Sequence, residues 1–347
     1  MITKADIEAR KPVIVKWDKA LVDSDANVTE GVIAGQASEF IPRIEQESKL
    51  LGMLRYIEMN GETQDIQALR VRPKLQNGNK LTGSKGQIDD LLSLSETLPG
   101  ILKEKLVAQF FTAFTKIPKT FMLTNVEKDG FLSKYESLLA PACAADAEVV
   151  AIFGKVPASG QTASGYEAID GILAQLDAVK AYYDDNVDEN PKLPMGKFTD
   201  INPANALVPQ IYQMYIQYLN QEGKIENAKL FTSAMTYAKL VAESANRQTA
   251  GGDDLYFNGG KLYFYGMEVV RLDALAHPEN GYGDVVIIAD PDSIGYGPLM
   301  EAESEGDYKQ EMKGYLVSVD FMFDVGIIFA EDVIYAEVKT PSGTDGG

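Results

Sequence analysis

Residues 283–339 read GDVVIIADPDSIGYGPLMEAESEGDYKQEMKGYLVSVDFMFDVGIIFAEDVIYAEVK. Within this stretch Tyr315, Val317, Val319, Phe321, Phe323 and Val325 take every second position. Successive side chains of a strand point to opposite faces, so the spacing predicts a long strand with one dry face. The apolar run Val285–Ala289 predicts a short strand before it. Asp290-Pro291-Asp292-Ser293, with Gly295 and Gly297 just after, reads as a turn, and a further strand follows near Val333.

Working outward, length and composition set bounds. A chain of 347 residues is too long for one simple core and implies two or more lobes. No run of eighteen apolar residues occurs, so no membrane-spanning helix is expected. The opening MITKADIEARKP is polar and of mixed charge, unlike a secretory signal. A single cysteine, Cys143, excludes an intrachain disulfide framework and a thiolate metal cluster. A single histidine, His277, argues against His-based metal sites and His-dependent triads. The net charge is −19, which repels nucleic acid unless basic groups are segregated. They are segregated modestly: residues 51–130 hold eleven Lys/Arg against nine Asp/Glu. Such a region reads either as an uneven solvated surface or as a basic arm lying on an acidic neighbour.

Residues up to about 47 have brief apolar clusters (Val13–Val15, Val32–Ile33, Phe40–Ile41) and read as an arm ordered by a partner. LLGMLRYIEM and IQALRVR, on either side of Asn60-Gly61, predict a β-hairpin with a type I′ turn. The following LTGSKGQ is small and basic and reads as a projecting loop. Residues 105–123 predict one or two Phe-rich strands, with Pro118 excluding a helix. A long helix is predicted over 126–153, capped by Thr124 and Glu127 or by Asn125. Phe131, Tyr135, Leu138, Leu139, Ala142, Ala145, Val149 and Ile152 form its apolar face. Pro141 lies inside it and Gly154 stops it. Shorter helices are predicted near 168–183, over 203–221 with Leu207, Ile211, Met214, Tyr215 and Tyr218 inward, and over MTYAKLVAES, capped by Ser233. Strands are predicted at KLFTSA, Asp254–Phe257 and Lys261–Arg271. This is an α+β order without a repeating βαβ pattern.

Candidate chemistry is sparse. Asp290 and Asp292 could hold a divalent cation beside a nucleotide-sugar, but no basic residue lies close by for a diphosphate, and turn chemistry accounts for both. Gly295-Tyr296-Gly297 and Gly251-Gly252 lack the Lys-Ser/Thr of a P-loop and do not match GxGxxG. Cys143 sits among alanines with Asp146 and Glu148 nearby, which suits a small packed residue better than a reactive thiolate. Tyr212, Tyr215 and Tyr218 fit a core or an interface better than a base-stacking stripe. No catalytic, cofactor or metal residue is assigned.

The succession of EFIPRIEQESKLLGMLRYIEM, the basic glycine-containing loop, FTKIPKTFMLT, AEVVAIFGK, GILAQLDAV, KLFTSAMTYAKL, KLYFYGMEVV and the C-terminal set resembles the tailed-bacteriophage major capsid protein family over nearly the whole chain. The resemblance implies an N-terminal arm (1–49), an extended β-hairpin loop (50–104), a peripheral domain on a long spine helix (105–200) and an axial domain (201–314). Residues 315–347 would be C-terminal strands returning to the peripheral domain, followed by a tail. It implies a structural protein, not an enzyme, that self-assembles into hexamers and pentamers of an icosahedral shell. That shell would enclose double-stranded DNA without sequence-specific contacts. Implied partners are other copies, with scaffolding, portal and decoration proteins; no cofactor or membrane is implied. The expected location is the virion, assembled in the host cytoplasm. Arg70, Arg72, Lys74, Lys80 and Lys85 of the extended loop would contact neighbouring subunits. Two alternatives stand: an encapsulin-like nanocompartment shell around enzyme cargo, and a metal-dependent carbohydrate-active enzyme using Asp290 and Asp292.

Overall fold

A computed structural model of the chain describes residues 49–70, 100–119, 129–157, 165–187, 193–245, 255–258, 260–311 and 313–339. The arm, the proposed helix caps Thr124, Asn125 and Glu127, and Gly251-Gly252 lie outside them. The described elements are β1 (Arg55–Tyr56), β2 (Thr63–Arg70), β3 (Gly100–Val107), β4 (Gln109–Pro118), α1 (Asp129–Phe153), α2 (Ile172–Asn186), α3 (Leu207–Asn220), β5 (Lys229–Thr232) and α4 (Ala234–Ala245). They continue with β6 (Leu255–Asn258), β7 (Lys261–Phe264), β8 (Met267–Arg271), β9 (Asp284–Ala289), β10 (Ile294–Lys309), β11 (Gly314–Ile327) and β12 (Val333–Val338).

The strands form three sheets, ordered β1-β10-β11-β4, β12-β9-β5-β8-β7-β6 and β2-β3. The chain divides into two compact units, one including residues 111–145 and 300–321, the other including 48–110, 146–299 and 322–347. In the first unit Ile117 and Val317 are buried with Tyr135, Leu139 and Tyr315 packed against them. Phe111 stacks on Phe321 with ring centroids 5.5 Å apart. A side chain at Gly314 would come within 2.6 Å of the Ile117 carbonyl, so only glycine fits there. The predicted alternation of β11 holds: Val317, Val319, Phe323 and Val325 are buried.

The second unit is built on the six-stranded sheet. β9 pairs antiparallel with both β12 and β5, and β5 runs parallel to β8. Leu207, Ile211, Met214 and Tyr218 of α3 bury together with Leu230, Val286, Ile288, Phe264 and Ile334 of the sheet. Residues 285–289 of β9 are all buried, which is why that strand reads as an unbroken apolar run instead of an alternation. The Ser233 hydroxyl accepts from the Thr236 N–H, capping α4 as its sequence predicts.

Three expectations are corrected. Asn60-Gly61 does not join a hairpin: β1 pairs parallel with β10, and β2 pairs antiparallel with β3, from Thr63 opposite Val107 to Arg70 opposite Gly100. The hairpin exists, but its return strand lies thirty residues further on than the local turn signal places it. Lys261–Arg271 is not one strand. Tyr265 and Gly266, both at positive φ, form a tight turn between β7 and β8. The stretch read as a turn, from Asp290 to Gly297, is a turn only to Ser293: the sixteen-residue strand β10 begins at Ile294. The helix predicted over 126–153 is α1, described from Asp129, and it runs through Pro141, whose side chain is exposed. An exposed position lets water satisfy the carbonyl that the proline leaves without a donor.

Gly154 ends α1 for a reason of space. A β-carbon there would lie 2.6 Å from the Val150 carbonyl and 2.7 Å from that of Ile169. Gly171, which donates to the Gly154 carbonyl at 2.9 Å, is equally tight against Ala151 and Ile152. Alanine at either glycine should cost about 1–3 kcal/mol through backbone displacement. Urea unfolding of Gly154→Ala and Gly171→Ala beside the parent chain measures it.

Candidate functional site

The segment singled out by its basic character rises from the β2–β3 ribbon, and the foot of that ribbon is built in detail. Met59, Leu106 and Ala108 are buried there, with Ile57, Ile66, Leu299 and Met322 against them. The Ala108 N–H donates to the Glu62 carbonyl at 2.8 Å, tying one strand's foot to the approach of the other. The Val107 N–H donates to the Asp324 carboxylate at 2.7 Å, and the other carboxylate oxygen accepts from the Val325 N–H at 2.8 Å. Burial pushes the Asp324 carboxyl above its usual range, and Asp170 adds to the shift; the two backbone N–H groups oppose it.

Gly295 and Gly297, dismissed as a phosphate cradle on sequence, lie under the tips of packed side chains instead. A β-carbon at Gly295 would sit 2.5 Å from Ile57, and one at Gly297 2.7 Å from Leu106 and 2.8 Å from the Met59 sulfur. The Ile57 N–H donates to the Tyr296 carbonyl at 2.9 Å, extending the short β1 pairing. The two glycines thus bring the ribbon foot down onto β10.

Arg70 ends β2 opposite Gly100, and Arg72, Lys74, Lys80 and Lys85 lie outside the described residues. Asp290 and Asp292 are brought together, but as a turn. Asp290 is 2% exposed and accepts from the Asp292 N–H at 3.0 Å, capping the 3-10 turn Pro291–Ser293. Asp292 faces Asn227 at 3.4 Å. Among the described residues no group of three or more His, Cys, Asp or Glu is placed to hold a metal. Cys143 is buried, and His277 follows a 3-10 turn at the surface. Tyr218 is buried with its hydroxyl on the Lys224 carbonyl, while Tyr212 and Tyr215 stack on Tyr265 at 4.8 Å and 5.7 Å. These tyrosines are packing residues.

Sequence reasoning missed the carboxylate of Asp324 and two exposed aromatics. Phe110 is 56% and Phe114 72% exposed, each within its own unit. One signal was available. Phe110, Phe111 and Phe114 include both parities of a strand, so they cannot all face one core.

No family model matches the chain. It is 22% identical over 316 residues to the Bacillus subtilis (strain 168) protein named "Putative prophage capsid protein YqbE", covering 88% of this chain and 91% of that one. A solved chain of Mycobacterium phage Cain superposes with a TM-score of 0.58 at 14% identity, over 93% of this chain and 99% of its own length. A chain from the capsid structure of the cyanophage P-SCSP1u gives 0.56 at 13% identity, over 92% and 98%. The chain has the tailed-phage major capsid fold.

One consequence concerns the Asp290 turn. Burial comes first in raising its carboxyl, with Asp292 and Asp332 adding to it and the Asp292 N–H opposing. A carboxyl raised in the folded state favours folding as pH falls through its folded pKa, and loses that contribution as pH rises. Asn at 290 keeps the acceptor oxygen without the charge. Asp290→Asn should therefore gain stability over the parent at neutral pH, with the gap closing towards pH 4. Melting temperature against pH reads this, and added magnesium or calcium should move neither chain.

Proposed function

We propose that this chain is the major capsid protein of a tailed phage or prophage: a structural subunit that self-assembles into the hexamers and pentamers of an icosahedral shell. The observation that carries the reading is the end-to-end fold likeness to solved phage proteins, one of them titled a capsid, joined to a full-length relative named as a prophage capsid protein. The named role of that relative favours a DNA-filled shell over an enzyme-filled compartment. Enclosure of double-stranded DNA, scaffolding and portal partners, a place in the virion and assembly in the host cytoplasm follow from this reading. The turn geometry of Asp290 and Asp292 supports a structural role over a metal-dependent one.

In this reading residues 1–49 are the arm and 50–104 the extended loop. Residues 105–200 form the peripheral domain with α1 as its spine, and 201–314 the axial domain. Residues 315–347 are the C-terminal strands and tail. Arg70, Arg72, Lys74, Lys80 and Lys85 contact neighbouring copies. The ribbon supports that assignment on physical grounds. A two-stranded ribbon is marginal alone in water, so its far end is stabilised by what it meets after assembly.

Negative-stain microscopy of the purified chain should show closed particles; a monomer that stays dispersed at high concentration would contradict the reading. Replacing residues 71–99 by Asn-Gly joins Arg70 to Gly100 through a turn suited to directly opposed strands. That variant should keep its circular dichroism and melting temperature yet form no closed particles. Arg72→Glu with Lys74→Glu should slow assembly, most strongly at low salt, because exposed charge pairs are screened as salt rises.

A further inference from the structure

The sequence carries four Asn-Gly pairs, at 60–61, 77–78, 258–259 and 280–281. Such a pair can react with itself. Glycine has no side chain to obstruct its own backbone nitrogen, which can reach the side-chain carbonyl carbon of the asparagine before it. The bond from that nitrogen forms as the bond to the amide nitrogen breaks, and ammonia leaves a cyclic imide behind. Water then opens the imide at either carbonyl. One opening gives aspartate, the other isoaspartate, in which the main chain runs through the side-chain carbon. The net change is an amide plus water to a carboxylic acid plus ammonia, with no oxidant or cofactor. The fold decides whether it happens, because the asparagine side chain must be free to turn onto the next nitrogen.

Two of the pairs lie wholly within the described residues, and their surroundings are opposite. Asn280 and Gly281 are the centre of a closed turn. Their φ values are 53° and 81°, and the Tyr282 N–H donates to the Glu279 carbonyl at 3.1 Å. The Asn280 amide nitrogen donates to the Phe153 carbonyl at 2.8 Å and to the Tyr166 carbonyl at 2.9 Å. The leaving nitrogen is therefore clamped at the end of α1, and rotating the amide onto Gly281 would strip two carbonyls of their donor. Asn60, by contrast, is exposed at a bend. Neither Asn60 nor Gly61 is at positive φ, and no backbone hydrogen bond closes a turn across them. Among the described residues the Asn60 side chain makes no hydrogen bond, and a β-carbon at Gly61 would meet nothing within 4 Å. Both reacting groups thus have room to move.

We infer that Asn60 is a site of self-modification, where the Gly61 backbone nitrogen closes on the side-chain amide and converts the residue to aspartate or isoaspartate. The position gives the change a consequence. Met59 on one side is buried in the ribbon foot with Leu106 and Ala108, and the Glu62 carbonyl on the other accepts from the Ala108 N–H. The segment is pinned at both ends. Isoaspartate adds a main-chain atom between the pins, and either product adds a carboxylate between the exposed Glu58 and Glu62. The foot of the ribbon therefore loosens irreversibly as the protein ages, with the Glu62–Ala108 hydrogen bond the first to yield. This holds whether or not the chain forms shells.

The test incubates the full-length chain at mildly alkaline pH and follows conversion by peptide mapping, with isoaspartate labelled by an isoaspartyl methyltransferase. In the folded chain Asn60 should convert several-fold faster than Asn280, and in urea the two rates should converge. Gly61→Ala, which the open space around Gly61 accommodates, should slow conversion at Asn60 and leave Asn280 unchanged. Hydrogen exchange of peptides covering Ala108 should speed up in the aged parent, beyond the level of a fresh Asn60→Asp chain, and stay at the fresh level in Gly61→Ala treated alike. Equal rates at the two positions in the folded chain overturn the assignment, as does an Asn60 that persists while Asn280 converts. Conversion at Asn60 indifferent to Gly61→Ala overturns the route through the imide. Unchanged exchange at Ala108 in a fully converted chain overturns the effect on the ribbon foot.

Discussion

The Val107 N–H resting on the half-buried Asp324 carboxylate is the contact on which the rest of this molecule turns. Val107 is the last residue of β3, and β4 begins two residues later. At that point the chain must stop pairing with β2 and start pairing with β11. A strand changing sheets leaves backbone groups without ladder partners, and each needs another acceptor or water. Asp324 supplies the acceptor from the very strand that β4 joins. It does so at the expense of partly desolvating a carboxylate, which is why its carboxyl lies above its ordinary range. The glycines at 295 and 297 complete the junction by letting Ile57, Met59 and Leu106 come close to β10.

The same device recurs. Glu148, fully buried on α1, accepts from the Lys49 and Leu50 N–H groups at 2.6 and 2.8 Å. Glu243 of α4 accepts from the Leu207 and Val208 N–H groups at 2.7 and 3.1 Å, capping α3 from a different helix. Asp332 accepts from the Lys224 N–H and the Ser293 hydroxyl at 2.8 and 2.7 Å. Asp177 accepts from the hydroxyls of Tyr282 and Tyr335. Part of the large negative charge is therefore structural. These carboxylates staple segments far apart in sequence, where helix caps and turns would otherwise need local partners.

What was legible follows from the range of the forces involved. β11 and α3 were read correctly because burial on one face imposes a period on consecutive residues. The Ser233 cap was read because donor and acceptor are three residues apart. The hairpin partner was misplaced because Asn60-Gly61 is a strong local signal, while the pairing of Thr63 with Val107 is decided by packing at the ribbon foot. Tyr265 at positive φ carries no sequence mark of its own, since asparagine or glycine usually fills that position. β10 was missed because EAESEGDYK shows no apolar alternation; its pairing is imposed by β11 beside it. The stapling carboxylates were invisible for the same reason, as their partners lie many tens of residues away. The family likeness compensated for some of this by preserving the order of elements that no single motif establishes.

In the shell reading, a subunit with charge −19 repels its own copies, so closing a shell would need attraction concentrated in few places. Distributing basic residues evenly would lower the net charge but give every face the same affinity and no register. Gathering five of them in one acid-free stretch does the opposite. In the shell reading it leaves most of the surface repulsive and concentrates attraction to acidic ground in one stretch of chain, so that wrong encounters are penalised while the right one is favoured. The ribbon adds a second condition. Its foot is held by the Asp324 carboxylate and the cluster around Leu106. In the shell reading the same chain must meet neighbours at slightly different inclinations, so attraction gathered in one stretch has to serve every pairing that hexamers and pentamers require.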